Sequence, residues 1–61
     1  MQYEKLNEKE KEITKFVIEG LTNIEIGVEM GYSCAAIKKR LTKIYKSMNV
    51  SNRFELLKKL L

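Results

Sequence analysis

The apolar positions of this chain fall into four short helical patterns, each opened by a residue suited to capping a helix. In the first, Asn7 can cap and Glu10 stands three residues on, a variant of the capping box, ahead of Ile13, Phe16 and Val17 at helical spacing. Leu6, just before the cap, is placed to staple onto that apolar face, and Gly20 ends the helix because glycine takes the left-handed conformation without steric cost. The second pattern opens with Thr22-Asn23-Ile24-Glu25, another capping box, continues through Ile26, Val28 and Met30, and stops at Gly31 near Tyr32. Gly27 inside it costs roughly 1 kcal/mol against alanine, which points to the close approach of another helix.

Ser33 can cap a third helix, in which Ile37, Leu41, Ile44 and Met48 recur at steps of four, three and four and line one face. Lys38, Lys39, Thr42, Lys43 and Lys46 occupy the remaining surface, so one side packs while the other is free to meet a partner. After Asn49 and Val50, Ser51 or Asn52 can cap a last helix from about Arg53 to Leu60. Its Phe54, Leu56, Leu57, Leu60 and Leu61 exceed one narrow stripe, and the surplus implies a second apolar contact, with another subunit or with a further domain. A monomer completing its own core is the alternative.

The expected fold class is therefore all-α, a compact four-helix domain containing a helix-turn-helix over residues 1–61. A chain of 61 residues makes one domain near the lower limit for independent folding, and 44% apolar with 33% charged residues is a globular composition, not a disordered one. One cysteine and no histidine exclude an internal disulfide and a Cys/His metal cluster, and no cofactor is implied. The N-terminus MQYEKLNEKEKE has no signal-like apolar run and no stretch is long enough to cross a bilayer, so a cytoplasmic location without membrane contact is expected. Met1 favours a free-standing protein over an excised domain; any control of its activity would then come from abundance or a partner protein.

Charge changes the picture more than composition does. The net +4 divides into an acidic front, where residues 1–37 carry four lysines against seven glutamates for a net −3, and a basic rear, where residues 38–61 carry eight lysines and arginines against Glu55 for a net +7. From Ser33 to Met48 there are five basic residues and no acidic one. Such segregation points to a polyanionic partner, with nucleic acid ahead of an anionic membrane surface. Glu8, Glu10 and Glu12 are read as first-turn carboxylates favouring the helix dipole, not as catalytic groups, since no nucleophile, histidine or phosphate-binding glycine loop accompanies them. Cys34 opens the basic helix, where the dipole and Lys38 could make it a redox switch, but a plain surface or space-filling role needs less. Tyr3, Tyr32 and Tyr45 are expected to pack with a wet hydroxyl, Tyr45 near enough to the basic face to touch DNA.

Leu6-Asn7-Glu8-Lys9-Glu10-Lys11-Glu12-Ile13 resembles the opening L-T-x-R-E-x-E-V of the LuxR/GerE-type DNA-binding domain, and Gly20-Leu21-Thr22-Asn23-Ile24-Glu25-Ile26-Gly27 resembles its G-x-S-N-K-E-I-A. Without a gap, Ser33-Cys34-Ala35-Ala36-Ile37-Lys38-Lys39-Arg40 follows S-x-x-T-V-K-x-H, and Ile44 to Arg53 follows I-x-x-K-L-x-V-x-x-R. The resemblance implies a non-enzymatic transcription regulator that reads DNA with its third helix in the major groove and dimerises through its fourth. Carried over position by position, it makes Lys38, Lys39 and Thr42 base readers of double-stranded DNA and Thr22, Asn23, Ser33 and Lys46 backbone contacts. The surplus apolar residues of the last helix make Phe54, Leu57, Leu60 and Leu61 the expected homodimer contact. Ala36, Arg40, Ile24 and Ser47 depart from the usual threonine, histidine, lysine and basic residue, so Arg40 and Lys43 are expected to take up part of the phosphate contacts. A dimer of this kind calls for an imperfect inverted repeat. The rival reading is an interaction module that binds an RNA polymerase subunit or another regulator through the same fold and never reads bases.

Overall fold

The computed structural model describes residues 2–61, with side chains from Glu4 onward; the expectation for Tyr3 concerns a side chain outside those described. A 3-10 turn at Gln2–Lys5 leads into helices α1 (Glu8–Ile18), α2 (Asn23–Met30), α3 (Cys34–Met48) and α4 (Arg53–Leu60). Among the described residues there is no strand, and the all-α expectation holds. The opening 3-10 turn was not foreseen, because four residues carry too short a pattern to be periodic.

Local chemistry fixes each boundary. Asn7 Oδ1 accepts from Glu10 N at 2.8 Å while Asn7 N donates to Glu10 Oε1 at 3.0 Å, and Thr22 and Glu25 repeat the arrangement at 3.2 and 2.8 Å. Both boxes pair a backbone donor that the first turn of a helix leaves free. Ser33 Oγ accepts from Ala36 N to open α3, and Asn52, not Ser51, opens α4 by accepting from Glu55 N. At the other ends Gly31 (φ 76°) and Asn49 (φ 58°) take the left-handed conformation that stops α2 and α3.

The core is one cluster. Ile13, Val17, Ile26, Ile37, Ile44 and Leu56 are fully buried, and Leu6, Leu41 and Met48 nearly so, which brings the apolar stripes of all four helices to one point. Leu6 joins it as the staple geometry requires. Two polar residues are buried with them: Glu10 through its capping box, and Thr14, whose hydroxyl donates to Glu10 O at 2.8 Å.

Two details differ from the sequence expectation. Val28 does not continue the apolar face of α2; it is 76% exposed. Gly27 is buried, but what it admits is not a helix: a Cβ there would lie 2.4 Å from the Tyr32 carbonyl oxygen, in the turn between α2 and α3. The same turn is closed by Tyr32 N donating to Gly27 O at 2.8 Å. Gly27 therefore sets how tightly α3 follows α2.

Candidate nucleic-acid interface

The α2–turn–α3 unit is the most extensively contacting pair of elements in the molecule, and it fixes α3 by its buried face. Ile37, Leu41, Ile44 and Met48 are at most 2% exposed, which leaves the opposite side of the 15-residue helix to solvent. That side carries Lys38, Lys39, Thr42, Lys43 and Lys46, all exposed. Residues four apart share a stripe on a helix, so Lys38, Thr42 and Lys46, and Lys39 with Lys43, form two neighbouring rows. No acidic residue interrupts either row.

The structure sorts the remaining cations of the basic rear half. Arg40 is half-buried at the rim of the face, its guanidinium 4.6 Å from the centre of the Tyr32 ring, a cation–π contact that holds it against the turn. Arg40 still borders a shallow groove with Ala36, Lys39 and Lys43. Arg53 donates from Nη2 to Leu21 O and ties the start of α4 to the α1–α2 connection. Lys59 donates to Met48 O at 2.8 Å and satisfies a free carbonyl at the end of α3. Arg53 and Lys59 thus hold the fold together, a role that their position in a run of positive charge does not reveal.

Along the flank of the helix pair, a groove of about 620 Å³ is lined by Gly20, Thr22, Asn23, Ile24, Cys34, Tyr45 and Arg53. The exposed hydroxyls of Thr22 and Ser33 each accept a backbone N–H internally, so their own protons remain available to an outside acceptor. Asn23 is half-buried beside Thr22. The Glu25 carboxyl is held below its ordinary range by the Thr22 backbone N–H first and the Thr22 side chain second, so it stays ionised as a cap. Burial raises the Tyr45 phenol above its ordinary value, and Tyr45 is a neutral, half-buried group packed against the core. Thr42 donates its hydroxyl to Lys38 O at 3.1 Å. Cys34 is exposed in the first turn of α3, at the edge of the groove.

The fourth helix divides its leucines. Leu56 is fully buried and Leu57 and Leu60 pack partly on the core, whereas Phe54 is 74% and Leu61 90% exposed. Phe54, Leu57, Lys58 and Leu61 border a further open groove.

With this geometry in place, comparison with known proteins is decisive. The family model described as bacterial regulatory proteins of the luxR family matches residues 4–60. The chain belongs to that family. A relative described as "Probable transcriptional regulator ycf29", from Guillardia theta, is 40% identical over 55 residues, which covers 90% of this chain and 26% of the relative. The chain thus spans about a quarter of that relative's length. No solved structure matches it at comparable significance. Membership of the luxR family makes this a helix-turn-helix domain of the DNA-binding, transcription-regulating class and not an enzyme. Of the three glutamates read as first-turn carboxylates, Glu8 and Glu10 lie in the first turn of α1 and Glu12 lies just beyond it. Among the described residues no helix is long and apolar enough to cross a membrane, and no group of acidic or cysteine side chains could hold a metal ion.

Proposed function

We propose that this luxR-family domain, spanning residues 1–61, is a sequence-specific DNA reader in a transcription regulator, with α3 lying in the major groove. The observation that carries the reading is the division of α3 itself: one face buried to 2% or less, the other presenting Lys38, Lys39, Thr42, Lys43 and Lys46 without a carboxylate. At about 1.5 Å per residue the helix is about 22 Å long, a rod the major groove accommodates. Lys38 and Lys39 donate to guanine acceptors. Thr42, its proton committed to its own helix, acts on a base through its methyl group or as an acceptor.

Thr22, Asn23, Ser33 and Lys46 position the domain on the phosphates, with the Thr22 and Ser33 hydroxyls donating outward. Lys43 and the rim-held Arg40 flank them. Two copies meet through α4, using the exposed Phe54 and Leu61 with the accessible edges of Leu57 and Leu60, and occupy an imperfect inverted repeat. A cytoplasmic location belongs to the same proposal.

A titration with DNA selected from a random pool tests the reading. Replacement of Lys38 or Lys39 by alanine is expected to cost about 1–3 kcal/mol and to relax preference at particular bases, whereas Lys46→Ala weakens binding to all sequences and lowers the salt slope by about one. Unchanged affinity in all three variants would falsify it.

A further inference from the structure

The surface of α2 that faces away from the core has a chemistry opposite to that of α3. Ile24 is 67% and Val28 76% exposed, and they stand one helical turn apart. Glu25 and Glu29 form the adjacent row, also one turn apart, and both are exposed. Together with Leu21 these four residues line a shallow open groove of about 280 Å³. Single exposed apolar residues are ordinary, but Ile24 and Val28 are contiguous with each other and with Leu21 along one groove. The Glu29 carboxylate would be repelled by a phosphate backbone, and it stands nearly two turns along α2 from Thr22, so the Val28–Glu29 end of this row lies outside the proposed phosphate contact.

Nor does the fold use it: Ile26 and Gly27 supply the buried side of α2, and the capping box needs only one Glu25 oxygen. We propose that the Leu21–Ile24–Val28 groove is a docking site for a cationic amphipathic helix of a partner protein, two apolar side chains entering the groove and flanking Lys or Arg meeting Glu25 and Glu29. The occupant is argued from charge complementarity: the groove is rimmed by carboxylates on a chain whose net charge is +4, and α2 contains no basic residue. Helix-in-groove recognition needs apolar anchors one turn apart, which is the spacing the groove offers. The proposal stands on α2 and does not depend on whether α3 reads bases.

The test uses the full chain and a synthetic helical peptide bearing leucines at steps of three and four flanked by lysines, with a second peptide in which glutamates replace the lysines. Backbone amide shifts are followed on titration, and DNA affinity is measured separately. The lysine peptide is expected to bind saturably, with the largest shifts at Leu21, Ile24 and Val28, and at least tenfold more tightly than the glutamate peptide. Glu29→Lys should reverse that preference. Val28→Glu should weaken the lysine peptide at least tenfold while leaving helical circular dichroism and DNA affinity unchanged, since neither side chain belongs to the core or to the basic face. Absence of binding, shifts confined to α3 or α4, or equal binding of both peptides overturns the proposal. So does concentration-dependent self-association of the chain that Val28→Glu abolishes, because the occupant would then be a second copy.

Discussion

Gly27 shows how much geometry one missing methylene controls. Alanine there would gain roughly 1 kcal/mol of helix propensity, but its Cβ would stand 2.4 Å from the Tyr32 carbonyl, and forcing a backbone group aside typically costs more than that gain. Gly27→Ala is therefore expected to destabilise the domain by about 1–2 kcal/mol net in urea unfolding, and to weaken DNA binding beyond the loss of stability because α3 is displaced relative to α2. A stabilised variant with native affinity would contradict this. Glu25 makes a pH-dependent prediction. Its folded pKa lies below the ordinary value, so its contribution is fully present above the unfolded glutamate range and is lost as pH falls through the lowered folded value. In an NMR titration the Thr22 amide should shift together with the Glu25 carboxyl at a midpoint below the ordinary glutamate value. The cap partners Asn7, Thr22 and Ser33 were legible in the sequence because a cap is a local bond over three residues. The ties from Arg53 to Leu21 and from Lys59 to Met48 were not, since they join groups 32 and 11 residues apart.

At the scale of elements, the boundaries of α3 deserve the closest scrutiny, because the basic face is useful only if the helix starts and stops in register with the core. Asn49 ends it in the left-handed region, the single non-glycine residue with positive φ among those described. Alanine at that position is expected to cost about 1 kcal/mol, while Asn49→Gly should be neutral or slightly stabilising; thermal melts of the two variants distinguish conformational strain from loss of the amide side chain. All four helices were readable from periodicity and caps, including the span of α4. The exposure of Val28 was not, because on an eight-residue helix several stripes fit an apolar pattern and only the packing of α1 and α3 chooses among them.

The whole molecule measures 28 Å along its longest axis, whereas half-sites one helical turn apart lie about 34 Å from centre to centre. On the proposed reading a single copy spans one groove segment, and occupancy of an inverted repeat requires two. Phe54 and Leu61 are the exposed apolar residues at α4 that the proposed dimer would use. Phe54→Ser is expected to lower the mass measured by light scattering and to reduce cooperativity on a two-half-site DNA, with helical circular dichroism retained. Leu57→Ser is the less clean variant, for it also loosens the core on which that leucine rests. A wild-type chain that stays monomeric both free and on DNA would remove the dimer.

The sequence by itself determined the helices, their caps, the all-α class, the segregation of charge and the family, because each of these is written in short-range spacing. The open face of α3 with Lys38, Lys39, Lys43 and Lys46 already followed from the helical repeat, but tertiary structure alone decided what the other cations meet. It set Arg40 over Tyr32 and committed Arg53 and Lys59 to backbone carbonyls. It also left Ile24 and Val28 uncovered beside two glutamates. The reason is common to all these cases: a side chain's type fixes what it can bond, but what it meets depends on how separate helices pack.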